Sequence, residues 1–224
     1  MAFINDGRAV AGLAAVEQLT KAQRVTLAPR GYAYSVSGIT GIMAAALAAN
    51  SSIFTMRSNP ASGKRLFIDR IRIQYTTLVA FTTALTAARR LAVTRSTAAS
   101  ASPSGGTAIT TVSQKNISNV ASICSSAGSG DIRIATTGLL TMTGITLDTT
   151  NPSRQLSLSH VGAAGGFYDG IFDYAAAANA PLIIEPGQVL SLFNPAAMDA
   201  GGTWQAMITV DWYEANLWES TTSE

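Results

Sequence analysis

The stretch Trp204–Glu214, WQAMITVDWYE, decides the fold class. Large or apolar side chains occupy every second position of it: Trp204, Ala206, Ile208, Val210 and Trp212. A β-strand points alternate side chains to opposite faces, whereas a helix of 3.6 residues per turn would scatter these side chains around its circumference. The stretch therefore predicts a strand with one buried face.

Residues 51–203 contain further short runs of this kind, separated by clusters of Gly, Pro, Asn and Ser. In Lys64–Thr77, KRLFIDRIRIQYTT, a largely apolar face alternates with a face that carries arginine. The first face holds Phe67, Ile71, Ile73 and Tyr75, and the second holds Ile68, Arg70, Arg72 and Gln74. This alternation predicts a half-buried strand.

Pro181–Pro195, PLIIEPGQVLSLFNP, contains two apolar runs that meet at Glu185-Pro186-Gly187. Proline and glycine in this order favour a tight turn between two strands. The runs at residues 89–95 and 155–161 are also strand-like, and the Ser- and Gly-rich stretches 100–107 and 124–131 are typical of surface loops.

These signals predict a mainly β protein built as an antiparallel β-sandwich, because strands recur without regular alternation with helices. We place the sandwich at residues 51–219, followed by a polar tail at residues 220–224. Periodicity alone does not separate a jelly roll from an immunoglobulin-like sandwich.

Residues 1–50 differ from the rest because they are rich in Ala and Gly. Leu13, Val16 and Leu19 recur at three-residue spacing and predict a short helix within Val10–Gln23, although Gly12 weakens it. One hypothesis makes residues 1–50 an extended or partly helical arm that docks on a neighbouring subunit through these three side chains. The alternative is an N-terminal strand and helix that cover the domain's own core.

The composition favours a protein that is covered in an assembly. Charged residues make up 12% of the chain, against roughly 25% in ordinary soluble proteins, and the net charge is +2. This charge is too small for a dedicated nucleic-acid-binding protein, so we expect no specific nucleic-acid binding. Twelve Arg against three Lys favours contact surfaces, where arginine is the preferred cation.

The chain has one cysteine, Cys124, which excludes an internal disulfide and a multi-cysteine zinc site. We expect it to be a small buried or loop residue. The N-terminus lacks the features of a secretory signal, and no stretch has the length and apolar character of a membrane span, so we expect neither export by that route nor a membrane partner.

No pattern of residues predicts catalysis, a cofactor or a metal site. His160 is the only histidine, it lies on a predicted strand, and no G-x-S-x-G nucleophile motif occurs. We therefore expect a protein that is not an enzyme.

Two weaker candidates for binding remain. The tract Gly166–Tyr174, GFYDGIFDY, places Asp169 and Asp173 among Phe167, Tyr168 and other aromatic side chains, and predicts either a ligand-binding loop or a loop that packs on the sheet. A second hypothesis pairs the runs near residues 65–72 and 89–95 as neighbouring strands. Their arginines would then form a basic stripe that contacts a partner or local acids: Arg65, Arg70, Arg72, Arg89, Arg90 and Arg95.

Three framework stretches, Leu47–Pro60, Arg65–Thr77 with 88–95 behind it, and Leu182–Pro195 through Glu214, resemble a group of tailed-bacteriophage virion proteins of about this length. The resemblance implies a jelly roll and a structural role in the virion, made in the host cytoplasm. The resemblance covers capsid cement or decoration subunits, which are commonly homotrimers, as well as tail and fibre components. Our first hypothesis is a cement or decoration subunit that forms a homotrimer bound to the major capsid protein. The alternative is a tail, baseplate or fibre component that binds a host-surface glycan.

Overall fold

In the computed structural model of the chain, the described residues are 32–43, 46–82, 89–115, 120–158, 162–174, 182–198 and 201–216. They form thirteen strands and one short 3-10 helix at Ser126–Gly128. The strands are β1 (Tyr32–Ile39), β2 (Ser51–Arg57), β3 (Lys64–Val79), β4 (Arg90–Ala99), β5 (Thr107–Ala108), β6 (Ser113–Gln114), β7 (Asp131–Ile134), β8 (Ile145–Leu147), β9 (Arg154–Ser157), β10 (Phe167–Asp173), β11 (Leu182–Ile184), β12 (Val189–Asn194) and β13 (Thr203–Asn216).

The strands form two antiparallel sheets packed as a sandwich, which confirms the predicted fold class. The six-stranded sheet has the order β10-β3-β13-β1-β6, with β11 also paired to β3. The seven-stranded sheet has the order β5-β7-β2-β12-β4-β8, with β9 also paired to β4. All pairings are antiparallel.

The stretch that decided the fold is the core of β13. Its five alternating side chains, from Trp204 to Trp212, are all buried, as predicted. β13 pairs with β3 on one side and with β1 on the other. Its two tryptophans stack on core tyrosines, Trp204 on Tyr75 at 5.1 Å and Trp212 on Tyr34 at 5.7 Å between ring centroids. Aromatic pairs of this kind add to the stabilisation that burial provides.

The two faces of β3 change phase at Asp69. Ile68 pairs with Trp212 and Arg70 pairs with Asp211, so β3 has one extra residue at this point. Such a bulge shifts the alternation of side chains by one residue. Ile68 is therefore fully buried with Ile71 and Ile73, and the prediction that Phe67 shares their face is wrong. Phe67 instead stacks on Tyr213, its partner on β13, at 4.7 Å.

The described part of residues 1–50 belongs to the sandwich. β1 pairs with β13 over its whole length, and Tyr34 and Val36 are buried in the core. The domain therefore includes residues before the expected boundary at 51, as the alternative with an N-terminal strand anticipates. Leu13, Val16 and Leu19, with the predicted helix, lie outside the described residues.

The turn at Glu185-Pro186-Gly187 is present, and it connects the two sheets. The amide of Gln188 donates to the carbonyl of Glu185 at 3.0 Å, and Gly187 has a φ of 80°. This geometry is that of a turn that requires a positive φ at its third residue, which glycine adopts without strain. The preceding run is β11 in the six-stranded sheet, and the following run is β12 in the seven-stranded sheet.

Candidate functional site

The tract Phe167–Asp173 is not a loop but strand β10, at the edge of the six-stranded sheet among the described residues. It pairs with β3 in continuous register, from Phe167 opposite Thr76 to Asp173 opposite Arg70. The two aspartates and Gly170 made the sequence look like a loop, because these residue types are rare in strands. Pairing with the long strand β3 overrides that local preference.

The side chains of β10 alternate between two environments. Phe167, Asp169, Ile171 and Asp173 are exposed, whereas Gly170 and Phe172 are buried. Tyr168 is partly buried and packs against the core. Its ring lies over Gly170, since a Cβ at that glycine would be 2.6 Å from Tyr168 Cε1. The glycine therefore makes room for the tyrosine ring.

An open groove of about 580 Å³ lies between β10 and β9, which belong to different sheets. It contains both polar and apolar side chains. The lining residues are Arg154, Gln155, Leu156, Ser157, Tyr168, Gly170, Ile171, Phe172 and Asp173. Tyr168 and Asp173 were predicted from the sequence, whereas the β9 wall was not. Only the fold shows that β9 lies opposite β10.

A second cavity of about 360 Å³ opens farther along the same edge, next to β11. Its lining combines polar and apolar side chains. Arg95 donates a hydrogen bond to the carbonyl of Ile183 at 3.3 Å, and Thr94 donates one to the carbonyl of Asp148 at 2.6 Å. Asn151 and Ser153 complete the polar part of its lining.

One hydrogen bond separates the two cavities. The hydroxyls of Tyr174 and Ser153 lie 2.9 Å apart and join the end of β10 to the segment before β9. Burial raises the pKa of Tyr174, so the phenol stays protonated and able to donate. We call this contact the Tyr174–Ser153 bridge.

The predicted basic stripe does not form, because β3 and β4 lie in different sheets. The arginines of β3 pair with acids instead. Arg65 contacts Glu185 at 2.7 Å, and Arg72 forms two hydrogen bonds with Asp169. On the other sheet, the guanidinium of Arg89 is buried over the ring of Phe81, at 4.2 Å from its centroid.

The remaining arginines follow the same pattern of local pairing. Arg70 donates twice to Asp211, and Arg90 lies 3.4 Å from the amide oxygen of Gln155. Lys115 also contacts Asp211, at 2.5 Å. Burial alone would raise the pKa of Asp211, but hydrogen bonds from Lys115, Ser35 and Arg70 outweigh it and lower the pKa. A hydrogen bond from Arg72 likewise lowers the pKa of Asp169.

Exposed apolar side chains lie on the outer face of the six-stranded sheet, on β1, β10 and the central strand β13, and just after β1. They are between 44% and 56% exposed: Ile39, Ile42, Phe167, Ile171 and Met207. Ile39 and Met207 are direct cross-strand partners, and Met207 lies beside Gln74 of β3. We call this surface the outer apolar face. Met207 could have been found from the sequence, because it is a large apolar residue on the polar side of the alternation in β13.

A buried carboxyl group lies elsewhere, at the end of β13. Glu214 Oε1 accepts hydrogen bonds from the Ser122 hydroxyl at 2.7 Å and the Ile123 amide at 3.0 Å. Trp212 Nε1 donates to the same oxygen at 3.3 Å, while Oε2 has no hydrogen-bond partner among the described residues. Burial raises the pKa of Glu214 despite these bonds. This carboxyl fastens the segment after residue 120 to the sheet.

The other sequence candidates give no site. Cys124 is fully buried, and burial raises the pKa of its thiol well above the usual value. His160 lies outside the described residues. Within the part of the chain that the structure describes, no three His, Cys, Asp or Glu side chains cluster to hold a metal ion. In that same part, no helix has the length and apolar character to cross a membrane.

Comparison with known proteins found no match, either to a protein family or to a curated protein sequence.

Proposed function

We propose that the chain is a non-enzymatic structural subunit of a tailed-bacteriophage particle, which stabilises the head as a capsid cement or decoration protein. The outer apolar face is the observation that carries this proposal. Its five exposed apolar side chains lie on a sheet that presents few unpaired charges.

Charged side chains on this face form ion pairs within the chain, although Arg70 and Lys115 share one carboxylate. Arg72 is paired with Asp169, and Arg70 and Lys115 are paired with Asp211. Removing an unpaired charge from water is costly, so a face whose charges are paired is easier to bury against a neighbour. Each Å² of apolar surface buried contributes about 25 cal/mol, before association costs are subtracted. Repeating such contacts over a symmetric shell strengthens them further.

The jelly-roll form of the sandwich belongs to the same proposal. Strands β2, β3 and β4 alternate between the two sheets, and β12 lies between β2 and β4. This crossing pattern supports a jelly roll rather than a meander, in which consecutive strands would be neighbours. We further propose a homotrimer that contacts the major capsid protein.

Light scattering coupled to gel filtration tests the self-association. We expect the full chain to form an oligomer, and Met207→Asp to shift it toward the monomer because an unpaired carboxylate would then be buried. Leu139→Asp is the matched control, since Leu139 is similarly exposed, at 52% against 44% for Met207, but lies outside this face. A monomeric full chain, or equal effects of the two substitutions, would contradict the proposed interface.

Electron microscopy of intact particles tests the location. A label on the polar tail at residues 220–224 should decorate the head at symmetric positions. Labelling of the tail alone would replace the decoration role with the second candidate, and unlabelled particles would contradict both.

That second candidate is a tail, baseplate or fibre component that binds a host-surface glycan. The groove between β9 and β10 favours it, because an open groove with an aromatic ring and several polar side chains is suited to a sugar.

A further inference from the structure

We propose that the open edge of the sandwich, between β9 on one side and β10 with β11 on the other, binds an uncharged oligosaccharide in an extended form. The inference rests on the second candidate function and names its ligand. It does not depend on self-association through the outer apolar face.

The length of the edge is the first argument. The two cavities lie on either side of the Tyr174–Ser153 bridge. Along β3, the edge runs from Tyr75, opposite Tyr168, to Phe67, opposite Ile183. The eight residue-to-residue steps between them, at ~3.3 Å each, give about 26 Å. A site of this length, divided into two cavities, fits a chain of several units better than one small molecule.

The charge of the lining is the second argument. The groove contains one arginine and one aspartate, Arg154 and Asp173, and the second cavity contains Arg95 and Asp148. Balanced charges give no net attraction to a polyanion such as a nucleic acid or an acidic polysaccharide. An uncharged ligand is therefore favoured.

The hydrogen-bonding groups are the third argument. Hydroxyl and amide side chains recur along the edge, and each type both donates and accepts: Thr94, Asn151, Ser153, Gln155 and Ser157. Sugar hydroxyls also donate and accept hydrogen bonds, so they can form hydrogen bonds with these side chains at many positions along the edge.

The aromatic ring is the fourth argument. Tyr168 lies over Gly170 in the wall of the groove and is partly exposed. A tyrosine ring offers an apolar face for the C–H side of a sugar ring, with a hydroxyl at its end. A side chain at residue 170 would displace this ring. Glycine at this position therefore allows the Tyr168 ring to lie in the wall of the groove.

An extended peptide is the competing occupant, since within the described residues β9 and β10 each pair with one strand only and could pair with a peptide. A protein that binds a peptide as an added strand of its sheet recognises the peptide through pockets for every second side chain. The groove and the second cavity instead combine hydroxyl and amide side chains with one aromatic ring. The lining therefore favours a sugar chain.

The test measures binding of the full chain to an array of uncharged and acidic glycans, as single sugars and as longer oligosaccharides, and to a library of extended peptides. We expect uncharged oligosaccharides to bind, and longer ones to bind more tightly than single sugars. Gln155→Ala and Tyr168→Ala should each weaken binding about tenfold, in line with the loss of one good contact. Gly170→Ala should weaken it as well, by displacing the Tyr168 ring.

Tyr213→Ala is the matched control for Tyr168→Ala, because Tyr213 stacks on Phe67 away from the groove. Gln155 is exposed, so its truncation tests the site even where the Tyr168 or Gly170 variant fails to fold. Binding to acidic glycans alone, to peptides alone or to no probe overturns the inference, as does binding that the three groove variants leave unchanged. The oligomeric state measured by light scattering tests the structural role independently of glycan binding.

Discussion

The ammonium group of Lys115 lies 2.5 Å from Asp211 Oδ1, and joins the segment after β6 to the central strand β13. Arg70 of β3 contacts the other oxygen of the same carboxylate at 2.7 Å. Asp211 thus connects three parts of the six-stranded sheet, although its side chain is largely buried.

Asp211→Asn should destabilise the fold by about 2 kcal/mol at pH 7, because the charge-assisted hydrogen bonds from Arg70 and Lys115 become weaker. The folded state lowers the pKa of Asp211, so its contribution is present above the unfolded pKa and is lost as the pH falls through the folded pKa. The difference between wild type and variant in urea denaturation should therefore shrink from pH 7 to strongly acidic pH. Asp148→Asn is the control. If the difference in stability between wild type and Asp211→Asn were the same at both pH values, Asp211 would not be ionised in the folded protein.

Glu214→Gln should reduce the dependence of stability on pH. Because burial raises the pKa of Glu214, its favourable contribution is present below the unfolded pKa and is lost as the pH rises through the folded pKa. Glutamine keeps an oxygen that can accept from Ser122, Ile123 and Trp212, and it carries no charge. Urea midpoints at pH 4 to 8, a range set around the unperturbed glutamate value of about 4.3, test this. Equal slopes for both proteins would refute it.

Trp204→Ala should cost about 3–5 kcal/mol, since a fully buried ring that stacks on Tyr75 would leave a cavity. Met207→Ala serves as a comparison within the same strand, because Met207 is exposed and its loss should change stability by less than about 0.5 kcal/mol. Thermal or chemical denaturation measures both. Similar losses for the two would mean that the faces of β13 are assigned the wrong way round.

Gly187→Ala should destabilise the turn between β11 and β12 by about 1–2 kcal/mol. The residue has a positive φ, and an added Cβ would lie 3.1 Å from the Cβ of Pro60. Gly63→Ala is the matched substitution, because a Cβ there meets no atom within 4 Å and φ is not positive. We expect Gly63→Ala to be neutral or slightly stabilising in the same denaturation experiment. A neutral Gly187→Ala would argue against the turn geometry.

The alternation of apolar and polar side chains predicted the fold class, because it continues without interruption along β13. The same method misplaced Phe67, since one extra residue at Asp69 reverses the faces of β3 and nothing in the local sequence marks it. It also missed β10, whose aspartates and glycine suggest a loop until pairing with β3 is considered.

The candidate sites depended still more on contacts between distant residues. Strands β3 and β4 are consecutive but belong to opposite sheets, so the arginine stripe could not be judged from the chain order. Likewise, Tyr168 and Asp173 were identified from their own sequence, while Arg154 and Gln155 face them only because two sheet edges meet.

The last strand of the described chain is also the middle of its sheet, between β1 and β3. During synthesis, β1 and β3 leave the ribosome well before β13 does. Until β13 is made, the backbone hydrogen-bonding groups on the edge of each strand that faces β13 have no strand to pair with. The sheet can close only after β13 has been synthesised. A nascent chain that stalls after residue 200 should therefore be a substrate for chaperones and prone to aggregate.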